Sequence, residues 1–120
     1  MDTRVKAVIV QMQKSLTDQL SIRTLATKVN LSPSRLWQLF RKETGQSPMQ
    51  YLKDLRMRHA RNLLRSTFHS IKEIAFLSGA SDLSHFVRDF KKEYGVRPTE
   101  FRAQSKRPAN VRTWADDDRE

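Results

Sequence analysis

The chain carries one pattern twice, and that duplication limits what it can fold into more than any other feature. Ser21-Ile22-Arg23-Thr24-Leu25-Ala26 is answered 49 residues later by Ser70-Ile71-Lys72-Glu73-Ile74-Ala75. Ser34-Arg35-Leu36-Trp37-Gln38-Leu39-Phe40-Arg41-Lys42-Glu43-Thr44-Gly45 is answered 50 residues later by Ser84-His85-Phe86-Val87-Arg88-Asp89-Phe90-Lys91-Lys92-Glu93-Tyr94-Gly95. Pro48 and Tyr51 recur as Pro98 and Phe101 at that same offset, so one residue is gained near Asp82, inside a turn. Two copies are too few for a stacked solenoid, which needs three or more units to bury a continuous core.

Between the copies lies the longest uninterrupted helical pattern. Ser47-Pro48 is a helix start, because the proline ring pre-sets φ and its missing N–H falls where a first-turn donor has no partner. Met49, Leu52, Leu55, Ala60, Leu63 and Leu64 then recur at three- and four-residue steps, with Lys53, Arg56, Arg58, Arg61 and Arg65 filling most of the rest. The run predicts a linking helix of roughly 27 Å.

The flanking elements follow from periodicity and caps. Val5, Val8, Ile9, Met12 and Leu16 share one face of a first helix over Val5 to Leu16. Ser21 caps a short second helix carrying Ile22, Leu25, Ala26 and Val29, and Asn30 tolerates the left-handed conformation that ends it. Ser32-Pro33 opens a third helix through Leu36, Leu39 and Phe40 to Gly45. In the second copy Ser70 and Glu73 form a capping box, Gly79 takes the place of Asn30, and Ser81 or Asp82 caps the next helix. Phe86, Val87 and Phe90 face inward there, Gly95 ends the helix, and Pro98 starts a last short one holding Phe101. The expected fold is therefore all-α: two helix-turn-helix subdomains, 1–46 and 67–104, joined by a linking helix over 47–66, about seven helices altogether. Residues 105–120 show no periodicity and are expected to be a disordered tail.

Charge narrows the partners. Over 120 residues, 23 Lys and Arg oppose 13 Asp and Glu, for a net +10. Four of those acids lie in Asp116 to Glu120, which leaves 22 basic and 9 acidic residues, or +13, on residues 1–115. Such an excess points to a polyanion, nucleic acid first and an anionic membrane surface second. No apolar run approaches a membrane span, no signal peptide precedes Arg4, and the absence of cysteine suits a reducing cytoplasm.

A helix-turn-helix offers the outward face of its second helix to base edges in the major groove. In the first copy that face is Ser34, Arg35, Trp37, Gln38 and Arg41; in the second it is Leu83, Ser84, His85, Arg88 and Asp89. Arginine can fork onto guanine, glutamine onto adenine, and an aromatic surface suits a thymine methyl. Arg41, Lys42, Lys91 and Lys92, toward the helix ends, are better placed for phosphate, which fixes register without reading sequence. Ser21 and Ser70, at helix N-termini, can offer backbone N–H groups to phosphate as well. Arg35, Gln38 or Arg88 taken singly is an ordinary solvated helix residue. The matching placement of Gln38 and Arg88 on two repeated helices is what argues for function.

Other chemistries find little support. His59, His69 and His85 share no metal-ligand spacing, so neither metal nor cofactor is expected. Asp18, Asp54 and Asp89 sit on no common motif, and no phosphate loop or nucleophile elbow appears, so an enzyme is not expected. Structured RNA and an anionic membrane surface are the alternatives. The first lacks the aromatic platforms of single-strand binders, and the second lacks a basic face set opposite a wide apolar one.

S-I-x-x-[LI]-A followed by L-F-R-K-E-T-G-Q-S-P-M-Q-Y-L-x-x-L-R-M-x-x-A-R-x-L-L (Leu39 to Leu64) resembles the DNA-binding domain of the AraC/XylS bacterial transcription regulators. G-A-S-D-L-S-H-F-V-R-D-F-K-K-E-Y-G-V-R-P-T-E-F-R (Gly79 to Arg102) is similar to that family's second helix-turn-helix, and the resemblance spans Val5 to Arg102. It implies double-stranded DNA as partner, two recognition helices in successive major grooves, and activation of transcription through contact with RNA polymerase. Carried over by position, the base-facing residues are Ser34, Trp37 and Gln38, then Ser84, His85 and Arg88. Ala80 departs from the family pattern, which commonly has an aromatic there. The chain shows no effector-binding or dimerisation domain, as expected either of a small stand-alone member acting as a monomer or of a piece of a longer regulator able to dimerise.

Overall fold

The computed structural model describes residues 1–105, and over those it contains seven α-helices and no strand. They are α1 (Thr3–Lys14), α2 (Ile22–Lys28), α3 (Pro33–Thr44), α4 (Pro48–Ser66), α5 (Ile71–Leu77), α6 (Leu83–Tyr94) and α7 (Pro98–Ser105). The expected tail, apart from Ser105, lies outside the described residues.

The duplication is visible in the helix boundaries themselves. Both ends of α2 and α5 differ by 49 residues, both ends of α3 and α6 by 50, and Pro48 and Pro98 open α4 and α7. The turns show where the extra residue enters. The Leu31 N–H bonds the Ala26 carbonyl at 3.0 Å and the Ala80 N–H bonds the Ala75 carbonyl at 2.9 Å, still 49 apart. The caps that follow, Ser32 and Asp82, are 50 apart, so the inserted residue is Ser81. Asn30 (φ 58°) and Gly79 (φ 87°) both take the left-handed conformation that lets the chain leave α2 and α5.

Local chemistry accounts for most helix starts. Ser21 Oγ accepts the Thr24 N–H at 3.1 Å, and Ser32 Oγ the Arg35 N–H at 3.1 Å. Ser70 and Glu73 close a reciprocal capping box, with bonds of 3.0 and 2.7 Å. Asp82, rather than Ser81, caps α6 through the His85 N–H at 3.1 Å. The first helix is displaced from the expected Val5–Leu16: Asp2 accepts the Arg4 N–H and starts it early, and the Ser15 N–H, shared between the Gln11 and Met12 carbonyls, ends it before Leu16. Leu16 still packs against the core, from the turn.

The described residues group into two compact units, one of residues 1–58 with Leu77–Gly79, the other of residues 59–76 and 80–105. In the first, Val5, Val8, Met12, Leu25, Ala26, Leu36, Phe40 and Leu52 form one buried cluster. In the second, Ala60, Leu64, Ile74, Ala75, Phe86 and Phe90 are buried. Phe40 meets Tyr51 edge-on at 5.3 Å, and Phe90 meets Phe101 edge-on at 5.7 Å: the same pair, 50 residues apart.

The long helix does more than link. Its buried residues Met57, Ala60 and Leu64 repeat the three- then four-residue spacing of Val5, Val8 and Met12 in α1. Each of these two helices is also tied at its C-terminal end by an arginine from a later helix. Arg56 donates to the carbonyls of Leu16 (2.9 Å) and Asp18 (2.8 Å); Arg102 donates to those of Leu64 (3.2 Å) and Thr67 (3.3 Å). Thus α4 closes the first unit with its N-terminal half, as α7 closes the second, and opens the second unit with its C-terminal half, as α1 opens the first. Met49, expected on the inner face, is 38% exposed, because the buried stripe runs through Pro48 and Leu52 and passes it by.

Candidate nucleic-acid interface

In α3 the Ser32 cap and Pro33 fix the first turn, and the burial of Leu36 and Phe40 fixes the rotation of everything after it. Ser34, Arg35, Trp37, Gln38, Arg41 and Lys42 are left exposed, and Leu39 is half-buried. Trp37 is 42% exposed, so it is not a core residue. The Arg41 guanidinium stands 5.5 Å from the centre of its ring, a cation–π contact that holds the indole in place. Trp37, Ser34 and Gln38 come together with Ile22 and Pro33 around an open groove of about 380 Å³.

In α6 the Asp82 cap and buried Phe86 and Phe90 turn Leu83, Ser84, His85 and Arg88 outward. Asp89, expected on this face, is half-buried, because one helical step turns it from Arg88 toward the buried Phe90. Val87, the counterpart of Trp37, is half-buried as well. The two outward faces therefore differ in chemistry: an apolar groove rimmed by an amide in the first, an imidazole and a guanidinium in the second. The groove near α6 is lined by Lys72, Ala75, Phe76, Ala80, Ser81, Asp82 and Leu83, and so leaves out Ser84, His85 and Arg88.

Lys91 and Lys92, like Arg41 and Lys42, lie exposed in the last turn of their helix. The two serine positions are not equivalent. The Ser70 N–H is already bonded to Glu73 Oε1, and that N–H is the chief reason the Glu73 carboxyl is held below its ordinary pKa. In this structure an anion there would meet a donor already bonded and a carboxylate beside it. At Ser21, Thr24 replaces the glutamate and its hydroxyl pairs with Ser21 Oγ at 2.9 Å, leaving no carboxylate. The Asp82 carboxyl is held low chiefly by the His85 N–H it accepts, so a fixed negative charge sits at the start of α6, where α3 has a neutral serine.

Sequence reasoning passed over Ile22 and Pro33, reading one as core and the other as a helix start. The signal for Ile22 was its place one residue after a cap, where a side chain points back along the chain and stays near the surface. Among the described residues, no group of three or more His, Cys, Asp and Glu side chains could hold a metal ion, and no helix is long and apolar enough to cross a membrane.

Comparison with known proteins agrees with this geometry. A family model for a helix-turn-helix domain matches residues 25–104. The transcriptional activator RhaS of Enterobacter sp. (strain 638) is 33% identical over 101 residues, covering 84% of this chain and 36% of RhaS. The chain thus spans little more than a third of that relative's length. An AraC-type transcriptional regulator from Chromobacterium violaceum has a similar structure, with a TM-score of 0.81 and 30% identity over 88% of this chain and 94% of that one. The DNA-binding domain of AdpA, solved in complex with a target DNA, has a TM-score of 0.81 and 26% identity over 86% of this chain and 93% of its own. Two helix-turn-helix copies with outward polar faces, matched over most of their length, show that the chain belongs to the AraC-type family of helix-turn-helix transcription regulators.

Proposed function

We propose that the chain binds double-stranded DNA at a specific sequence and regulates transcription in bacteria, as an activator that contacts RNA polymerase. Subdomains 1–46 and 67–104 each put one helix, α3 or α6, into a major groove, with 47–66 linking them. The observation that carries this reading is the paired exposure of Ser34, Arg35 and Gln38 and of Ser84, His85 and Arg88 at repeat-equivalent stations, with Trp37 exposed beside the first set, over cores that fix both helices in rotation. Arg35 adds a further donor to the first face. Arg41, Lys42, Lys91 and Lys92 neutralise phosphates, and the Ser21 end of α2 offers backbone donors beside them. The DNA-reading part needs no cofactor and catalyses no reaction; its place of work is the cytoplasm, where the chromosome lies. Because the two faces differ, a single copy reads an asymmetric site of two unlike boxes, and no palindrome is required.

Selection of bound sites from a random duplex pool, followed by footprinting, tests the reading. With +13 on residues 1–115, log K should fall steeply with log salt. Binding that ignores salt between ~50 and ~200 mM would sink the nucleic-acid reading. A strict palindrome occupied by two copies would sink the asymmetric-site reading.

A further inference from the structure

We infer that the groove beside Trp37 is a reader of a pyrimidine 5-methyl group, the C5-methyl of thymine or of 5-methylcytosine, in the box contacted by α3. The inference rests on the DNA-binding reading above and names what one of its two faces recognises.

The groove is built from one half-buried aliphatic side chain (Ile22), a proline ring (Pro33) and a tryptophan left 42% exposed, with only Ser34 and Gln38 as polar neighbours. Its walls are mostly carbon and carry no charge; beyond Ser34 and Gln38 the one side-chain donor is the Trp37 indole N–H. Phosphate is instead suited to Arg35, Arg41 and Lys42 on the same helix, opposed only by Glu43. That charge balance draws the helix to DNA, while the groove lies at the helix's N-terminal end, the part that faces base edges. On the floor of the major groove the one apolar group is the C5-methyl of thymine, and a methylated cytosine puts a methyl at the same place. The indole is an apt wall because Arg41 pins it, so little side-chain freedom is lost when a methyl settles against it. Gln38 on the same rim has the donor and acceptor that match adenine. At the second recognition helix Val87 is half-buried where Trp37 is exposed, and the groove lined by Ala75, Phe76 and Leu83 leaves out Ser84, His85 and Arg88. Methyl reading is thus assigned to the box contacted by α3.

The test uses the full chain carrying Trp114→Phe, which leaves Trp37 as its only indole. A duplex selected from a random pool is remade with each thymine in turn replaced by deoxyuridine, which removes the methyl and keeps every hydrogen-bonding group. We expect a loss of about fourfold in affinity at one position of one box, the factor equivalent to ~0.8 kcal/mol for one buried carbon. The same replacement should leave Trp37→Ala binding unchanged, whereas Gln38→Ala, which keeps the apolar wall, should still feel it. Trp37→Gln serves if Trp37→Ala fails to fold. With a C·G pair at that position, 5-methylcytosine should bind better than cytosine by a similar factor, which separates reading of the methyl from reading of the base. Trp37 emission should change on saturation with the duplex. Deoxyuridine silent at every position, an undiminished effect in Trp37→Ala, or unchanged emission each overturns the inference. If no duplex is bound at all, the DNA reading falls with it; if duplex is bound and every deoxyuridine is silent, the methyl-reading groove alone falls.

Discussion

Three glycines share nearly one backbone conformation and differ in what surrounds them, so substituting each by alanine isolates the effect of space. Gly45 and Gly95 have φ 81° and Gly79 has φ 87°. A side chain in this region costs about 1–2 kcal/mol, of which about 0.4–1 kcal/mol is returned by the stiffer unfolded chain. At Gly45 and Gly95 a new Cβ would meet nothing within 4 Å, so Gly45→Ala and Gly95→Ala should destabilise by only about 1 kcal/mol or less. At Gly79 the new Cβ would run into the Leu16 carbonyl oxygen and the Arg56 side chain. To make room, the Leu16 carbonyl must shift and Arg56 must withdraw, which breaks the bonds of Arg56 to Leu16 and Asp18. A hydrogen bond to a charged group contributes roughly 1.5–3 kcal/mol, and taking the lower end because Arg56 is only half-buried gives about 3 kcal/mol for the two. Gly79→Ala should therefore destabilise by at least about 3–4 kcal/mol, several times its two counterparts. Urea unfolding followed by far-ultraviolet circular dichroism measures all three on one scale. Equal midpoints for the three variants would show that the Gly79 turn is not crowded and that this reasoning is wrong.

Leu36→Ala or Phe86→Ala should each destabilise by roughly 2–5 kcal/mol, since both side chains are buried, while Trp37→Ala should change stability little and binding more; a thermal melt ranking them in reverse would mean the recognition helices are turned the other way. Arg88→Ala should relax base preference in one box and Gln38→Ala in the other, each by about 1–3 kcal/mol, read out by competition with single-base variants of the selected site. The Asp82 and Glu73 carboxyls titrate lower in the folded chain than in the unfolded one, chiefly because of the His85 and Ser70 N–H groups they accept. Their contribution is accordingly full above the ordinary carboxylate range near pH ~4 and is lost as pH falls through it. Melting temperature should drop on acidification there, and a double variant Glu73→Gln, Asp82→Asn should flatten the drop; an unchanged profile counts against the caps.

Helix starts are readable from sequence because their chemistry is local: Ser32-Pro33, Ser70 with Glu73, and Asp82 act within four residues of the backbone they cap. The inward and outward sides of α3 and α6 are equally readable, since Leu36 and Phe40, then Phe86 and Phe90, recur at four-residue steps that only one face can satisfy. What escapes is whatever depends on tertiary neighbours. Periodicity places Met49 inside and passes over Met57, because a helix serving two units has a buried stripe that changes direction partway along. Ile22 and Pro33 become walls of a groove only once α2 and α3 are packed together, which no local pattern announces. The Ser70 N–H is bonded to Glu73 in the same capping box that makes the helix start easy to read.

The dual membership of α4 changes what an excision could yield. Residues 48–58 complete one core and residues 59–66 begin the other, so the seven helices are two four-helix units that hold one helix in common. No single cut can release two intact halves. A cleavage within α4 strips both of a wall, and a cleavage over residues 67–70 leaves the second without its opening helix and the first without Leu77–Gly79. A gene fragment encoding the first reading head alone must therefore run on through α4 and α5 to Gly79, and one encoding the second must begin inside α4, by His59.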